Sequence, residues 1–295
     1  MNQEINFWQV RDLGDTINAT FSFVKSHAAN LIGVILYTAG PFLVVSAIMS
    51  VWFQSNLTIP SVEDQMDNPL AVFSMYTDPR FYLAMIAGMV GSFVLYGAMY
   101  SYVMIARDGI EPTVDNVWER IREDFGIYLT TFLLIIGLYV VAIALMIIVC
   151  VGWVVLLVGG LYLVTIMQIY LPARLHERIG AIEGIKRSHR LNKGYFTDSF
   201  LLLVVLIVIS IALAMVFLIP TMAISFIYGL NSLAGNASTP LWAIVVSTLA
   251  QMCASFLSIV PVTATVLHYC NLVERTESPG LSDRVDDWAG QQPDD

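Results

Sequence analysis

Four histidines, His27, His176, His189 and His268, are the residues of this chain best suited to move protons or hold a metal ion, since imidazole changes charge near neutral pH and ligates metals when neutral. Their spacing supports neither use. A zinc helix needs two histidines one turn apart with a glutamate beside the first, and His176-Glu177 offers half of one. A catalytic zinc would need two more ligands at suitable spacing. Cys150, Cys253 and Cys270 lack the close pairing of thiolate metal sites and read as small buried hydrophobes. There is no GxSxG nucleophile elbow, no Walker-type phosphate loop and no GxGxxG dinucleotide turn. Catalytic residues, cofactor and bound metal are therefore not expected. A lipid-active enzyme would require His176, His189 and nearby acids to converge.

The elements that must position these residues are apolar. Of 295 residues, 57% are hydrophobic and only 13% are charged, against about 45–50% apolar in a soluble domain. A bilayer-spanning helix needs roughly 20 mostly apolar residues. Six stretches qualify, at 28–53, 81–106, 126–150, 151–173, 200–229 and 241–270, none with Asp, Glu, Lys or Arg in its interior. The expected fold is an all-α integral membrane protein, one six-span domain over residues 1–272 followed by an acidic disordered tail at 273–295. Residues 1–27 carry Glu4, Asp12 and Asp15 against Arg11 before a long first span, so that span reads as a retained anchor rather than a signal peptide.

Orientation follows from the 14 Lys and Arg residues, because basic residues are retained on the cytoplasmic side. With the N-terminus inside, only Arg80 falls outside. Both termini are expected in the cytoplasm, and the protein in a plasma or bacterial inner membrane. The net charge of −9 disfavours nucleic acid as a partner.

Residues 174–193 concentrate Arg174, Arg178, Lys186, Arg187, Arg190 and Lys193, with Glu177 and Glu183 the acids in that window. Each basic residue beside an anionic leaflet gains about 1 kcal/mol. The six are expected to contact anionic lipid headgroups or a protein partner, beyond fixing topology. Lys193-Gly194 suits a helix C-terminus.

Three inner segments share helix-period apolar residues: Ile17, Phe21 and Val24; Val114, Val117, Trp118, Ile121 and Phe125; and Leu175, Ile179 and Ile182. They suggest three repeats of an interfacial amphipathic helix plus a helical hairpin. The alternative is that any inner loop is amphipathic where it meets headgroups. In the outer loop 54–80, Asn68 and Pro69 suit the start of a short helix.

Intramembrane charges usually mark ion paths, and none lies at mid-span. A carboxylate relay is thus disfavoured, while a carrier of an amphiphile remains open. Its cleft would be the polar stripe Ser247, Gln251, Ser255 and Ser258 on the sixth span, faced by Tyr162, Thr165 and Gln168 on the fourth. The plain alternative is interhelical packing through hydroxyls and amides. Ala84, Ala87, Gly88, Gly91, Gly97 and Ala98 form a close-contact face on the second span, for packing within the monomer or self-association. Pro41, Pro220 and Pro261 are expected to bend their spans.

At IKRSHRLNKGYFTDSFLLLVVLIV, residues 185–208, the chain resembles the membrane domain attached to some bacterial glycerophosphoryl diester phosphodiesterases and its uncharacterised stand-alone relatives. Lys186, Arg187, Ser188, Leu191, Lys193 and Gly194 carry the likeness. It implies a six-span inner-membrane module over about residues 10–272, without the soluble catalytic domain. The expected function is a non-catalytic scaffold or regulator of a membrane or lipid-linked process; the alternative is a permease or flippase-like carrier of an amphiphilic solute.

Overall fold

The computed structural model describes residues 6–57, 66–147, 153, 155–233 and 239–278, and among these there is no strand. The helices are α1 (Leu13–Ser55), α2 (Pro79–Arg107), α3 (Val114–Glu123), α4 (Phe125–Ile147), α5 (Leu161–Met167), α6 (Tyr170–Glu177), α7 (Ala181–Asn192), α8 (Phe196–Leu233), α9 (Leu241–Phe256) and α10 (Ile259–Glu277). A π turn, Leu156–Gly160, leads into α5. A 3₁₀ segment, Pro69–Thr77, starts where Asn68 and Pro69 predict, with the Leu70 amide donating to Asn68 Oδ1 at 3.1 Å.

Six helical stretches are long and apolar enough to cross a membrane. Their outward faces agree: Val208, Ile211, Val216, Ile219 and Phe226 of α8 are all more than half exposed, which water would not tolerate over so large a patch. The protein is membrane-embedded.

Two prolines decide where spans break. Pro172 has no amide hydrogen for the Gln168 carbonyl four residues back, and the helix stops at Met167 and restarts at Tyr170. Pro261 stands in the same relation to Leu257, where α9 gives way to α10. Pro41 and Pro220 instead lie inside the continuous α1 and α8.

The chain divides into two compact units. The first comprises Met1–Ile32, Met99–Ile207 and Val260–Asp295. Its most enclosed element is α10, buried at every residue from Val262 to Glu274. Leu202 and Leu206 of α8 pack with Ala264 and the partly buried Leu13 and Ile17. An N-terminal strap is held by Asn271, whose Nδ2 donates to the Arg11 carbonyl and whose Oδ1 accepts from the Arg11 amide, both at 3.0 Å.

The second unit comprises Gly33–Ala98 and Val208–Ile259. Here the small-residue face of α2 meets α1: a Cβ on Gly91 would lie 3.4 Å from the Phe42 carbonyl and from Ser46 Cβ. That face serves packing within the chain.

Several boundaries differ from expectation. The first amphipathic stretch is continuous with the first span in α1. Leu175, Ile179 and Ile182 do not share one helix, since Arg178 turns left-handed at φ 50° and α7 starts only at Ala181. The tail boundary moves as well. Residues 273–277 complete α10, where Val273 and Glu274 are 5% and 7% exposed; residues 279–295 lie outside the described residues, as does Cys150.

Candidate functional site

The helix α7 is built with its polar side inward. Gly184, Arg187, Ser188, Leu191 and Asn192 are buried, while Ile182 is 70% and Ile185 37% exposed. Lys186, Arg190 and Lys193 share that exposed side. Leu191 aside, the buried positions are polar or glycine: Arg187 pairs across helices, while Asn192 Nδ2 donates to the Ser188 carbonyl of the same helix.

Arg187 is the centre of that pairing. Its Nε donates to Glu177 Oε1 at 2.6 Å, its Nη2 donates to Glu277 Oε2 at 2.8 Å, and its Nη1 donates to Glu277 Oε1. The hydrogen bonds to Glu277, and then those to Glu177, hold the guanidinium above its ordinary pKa despite burial. Tyr269 Oη also donates to Glu177 Oε1, at 2.9 Å.

Arg174 is buried as well. Its Nη1 donates to Thr131 Oγ1 at 2.9 Å and to the Ile127 carbonyl, and its Nε to the Ile179 carbonyl. Gly184 permits this approach, because a Cβ there would come within 2.7 Å of Arg174 Cγ. Arg178 pairs with Glu123 at 2.9 Å and stands 3.7 Å from Asp124. Asp124 closes the joint between α3 and α4, 2.7 Å from Arg120 Nε. Burial raises its pKa more than Arg120 and Arg178 lower it.

The six expected basic contacts are therefore divided. Arg174 and Arg187 are buried and structural rather than free for an anionic headgroup, a correction with a plain cause: Glu177 and Glu277 pair with Arg187, and Thr131 with the Ile127 and Ile179 carbonyls binds Arg174. Arg178 is half-exposed but paired. Lys186, Arg190 and Lys193 remain on the surface.

The seven polar-cavity candidates fall into different units. In the first, Thr165 donates to the Leu161 carbonyl of its own helix, and Gln168 Nε2 donates to the Ser199 carbonyl at 2.8 Å. Tyr162 stacks on Phe196 and shares a 3.3 Å hydrogen bond with His189 Nδ1. Gln168 also borders an apolar cavity of about 610 Å³ between α4 and the π turn with α5, with Tyr139, Leu163 and Met167 on its walls. In the second unit, Ser255 and Ser258 donate to the Met252 and Ser255 carbonyls, back onto their own chain, and Gln251 is exposed.

Sequence reading missed two features. Ser199 Oγ and His268 Nε2 share a hydrogen bond of 2.8 Å; both side chains are buried, with His268 on the wall of a small cavity of about 120 Å³ beside Arg11, Asp198 and Asn271. Trp8, His176 and Tyr269 form a run of ring contacts at 5.2 and 5.8 Å beside Glu177. His189 contacts Tyr162 instead, so His176 and His189 do not make the convergent pair a lipid-active enzyme would need. Among the described residues no cluster of His, Cys, Asp or Glu could hold a metal ion. Trp8 carried no signal because only the fold brings the strap to α6 and α10.

No protein-family model matches the chain, and neither a curated protein nor a solved structure matches it.

Proposed function

We propose that the protein is a non-catalytic membrane module that scaffolds or regulates a lipid-linked process through its basic end, the end that holds α3 and α7. The reading is carried by α7, whose buried face is locked by Arg187 while Ile182, Ile185, Lys186, Arg190 and Lys193 stay outward. Two apolar side chains among cations suit an anionic headgroup layer, the first entering the acyl boundary and the others meeting phosphates. The basic bias supports a cytoplasmic setting for this end, at a plasma or inner membrane. The likeness of residues 185–208 to a phosphodiesterase-linked membrane domain fits the same setting.

The test is thermal unfolding in nanodiscs of phosphatidylcholine with and without phosphatidylglycerol. The anionic lipid should raise the Tm, the gain should shrink at high salt, and Lys186→Gln/Arg190→Gln/Lys193→Gln should remove it. Equal Tm values in the two lipids would sink the proposal.

A second reading, a carrier of an amphiphilic solute, is favoured by the 610 Å³ apolar cavity with Gln168 at its border. It predicts transfer of a fluorescent lipid across proteoliposome leaflets, blocked when Leu163→Trp fills the cavity. Transfer at the rate of empty vesicles would exclude it.

A further inference from the structure

Another cavity, of about 390 Å³, lies at the same end of the first unit, lined by Trp8, His176, Glu177, Arg187, Tyr269, Val273 and Glu277. Its volume falls in the range of small-ligand sites. Aromatic rings and carboxylates make up most of this lining. We infer that this cavity binds an alkylammonium group, as carried by an ethanolamine or choline headgroup or by a free amine.

Charge and geometry both select a cation. Glu177 and Glu277 outnumber Arg187 around the cavity, and Arg107, whose guanidinium lies 5.9 Å over Trp8, is matched by Asp108 at 2.6 Å. Arg190 also acts on Glu277, so the surrounding charges balance, while the wall itself carries two carboxylates to one guanidinium and suits a cation better than an anion. The donors to Glu177, Tyr269 Oη and Arg187 Nε, both use Oε1 and leave Oε2 unclaimed by either. Glu277 keeps 48% of its side chain exposed. These oxygens can accept from a primary ammonium, or sit beside a quaternary one.

The rings supply the second half of the recognition. Trp8, His176 and Tyr269 follow one another in contact, and the faces of Trp and Tyr attract cations through the ring quadrupole. Trp8 already carries a guanidinium in this way. A metal ion is a poor fit, since no group of three or more His, Cys, Asp or Glu able to hold one occurs among the described residues. Ring walls beside acids favour a soft, weakly hydrated organic cation.

The test uses the full chain in detergent and isothermal titration with choline, ethanolamine and 3,3-dimethylbutanol, a neutral shape-mimic of choline. Choline or ethanolamine should bind saturably and the neutral mimic should not. Trp8→Leu and Glu177→Gln should each weaken binding by about tenfold. Tm is measured for each variant, and Tyr269→Phe, which keeps the ring, should retain binding if either variant fails to fold. A parallel arm compares Tm in phosphatidylethanolamine and phosphatidylglycerol nanodiscs for wild type and Trp8→Leu. A Trp8-dependent gain in phosphatidylethanolamine identifies a lipid headgroup as the source, whereas binding of soluble amine alone identifies a free amine. No saturable amine binding together with no Trp8-dependent lipid effect overturns the inference, as does equal binding of the neutral mimic.

Discussion

Glu277, in the last turn of α10, grips the guanidinium of Arg187, in the middle of α7, ninety residues back in the chain. Glu177, closing α6, holds the same group from another helix. One arginine thus joins the ends of two helical hairpins. Replacing it leaves two carboxylates facing each other without their counter-ion, which costs 3–5 kcal/mol when fully buried, by roughly the scale in. Glu277 is half-exposed, so Arg187→Gln should cost about 2 kcal/mol. A combined Arg187→Gln/Glu277→Gln protein should be more stable than the sum of the singles implies. Thermal melts of the four proteins in one detergent check this, and strict additivity would contradict the pairing.

Gly184 marks a close approach between α7 and α6. A Cβ there would come 2.9 Å from Arg174 Cδ and Tyr170 Cε2 as well as 2.7 Å from Arg174 Cγ. Arg174 has little room to yield, being tied to Thr131, Ile127 and Ile179. Alanine would gain about 1 kcal/mol of helix propensity and lose about 1–3 kcal/mol to overpacking. The clash should win, and Gly184→Ala should lower the Tm; a raised Tm would show that Arg174 swings aside.

Asp124 predicts a pH dependence of definite sign. Burial lifts its pKa above the unfolded value, outweighing Arg120 and then Arg178. Such a group contributes stability below its unfolded pKa and loses it as pH rises through the folded pKa. Asp124→Asn has no proton to lose. The Tm difference, variant minus wild type, should therefore become more positive between about pH 4, the ordinary carboxylate range, and neutrality. A difference that falls over this range would mean the arginines outweigh burial.

The α9 stripe can be probed by labelling. Cys253 and Gln251 are both exposed on a helix within an apolar span, so they should face hydrocarbon. Neither native Cys253 nor Gln251→Cys should react with a membrane-impermeant maleimide from either side, after the other cysteines are replaced. Rapid reaction would place water there and revive a polar cleft.

What could be read from the chain beforehand was local or compositional. The six spans follow from apolar length, the 3₁₀ start from Asn68-Pro69, and the end of α7 from Lys193-Gly194, where Gly194 adopts φ 92°. The break at Gln168 is equally legible in Pro172, four residues on. Other features were out of reach in principle. Whether Arg187 meets solvent or acids depends on Glu177 and Glu277, and no pattern within residues 174–193 encodes Glu277. Trp8 gains meaning only when Asn271 clamps the strap at Arg11. Helix periodicity marks α7 as amphipathic but leaves open which side meets the protein; the buried Arg187 beside exposed Ile182 and Ile185 depends on Glu177 and Glu277, outside that periodicity.

Two of the three amphipathic segments meet their spans through joints: Asp124 between α3 and α4, and Lys193–Tyr195 between α7 and α8. The first has none. Forty-three residues run from Leu13 to Ser55 as one helix, a contour of about 65 Å against a hydrocarbon layer of about 30 Å. Its first turns therefore share an unbroken backbone ladder with the apolar stretch that follows, and the clamp of Asn271 on Arg11, two residues before Leu13, fixes the point from which that ladder starts.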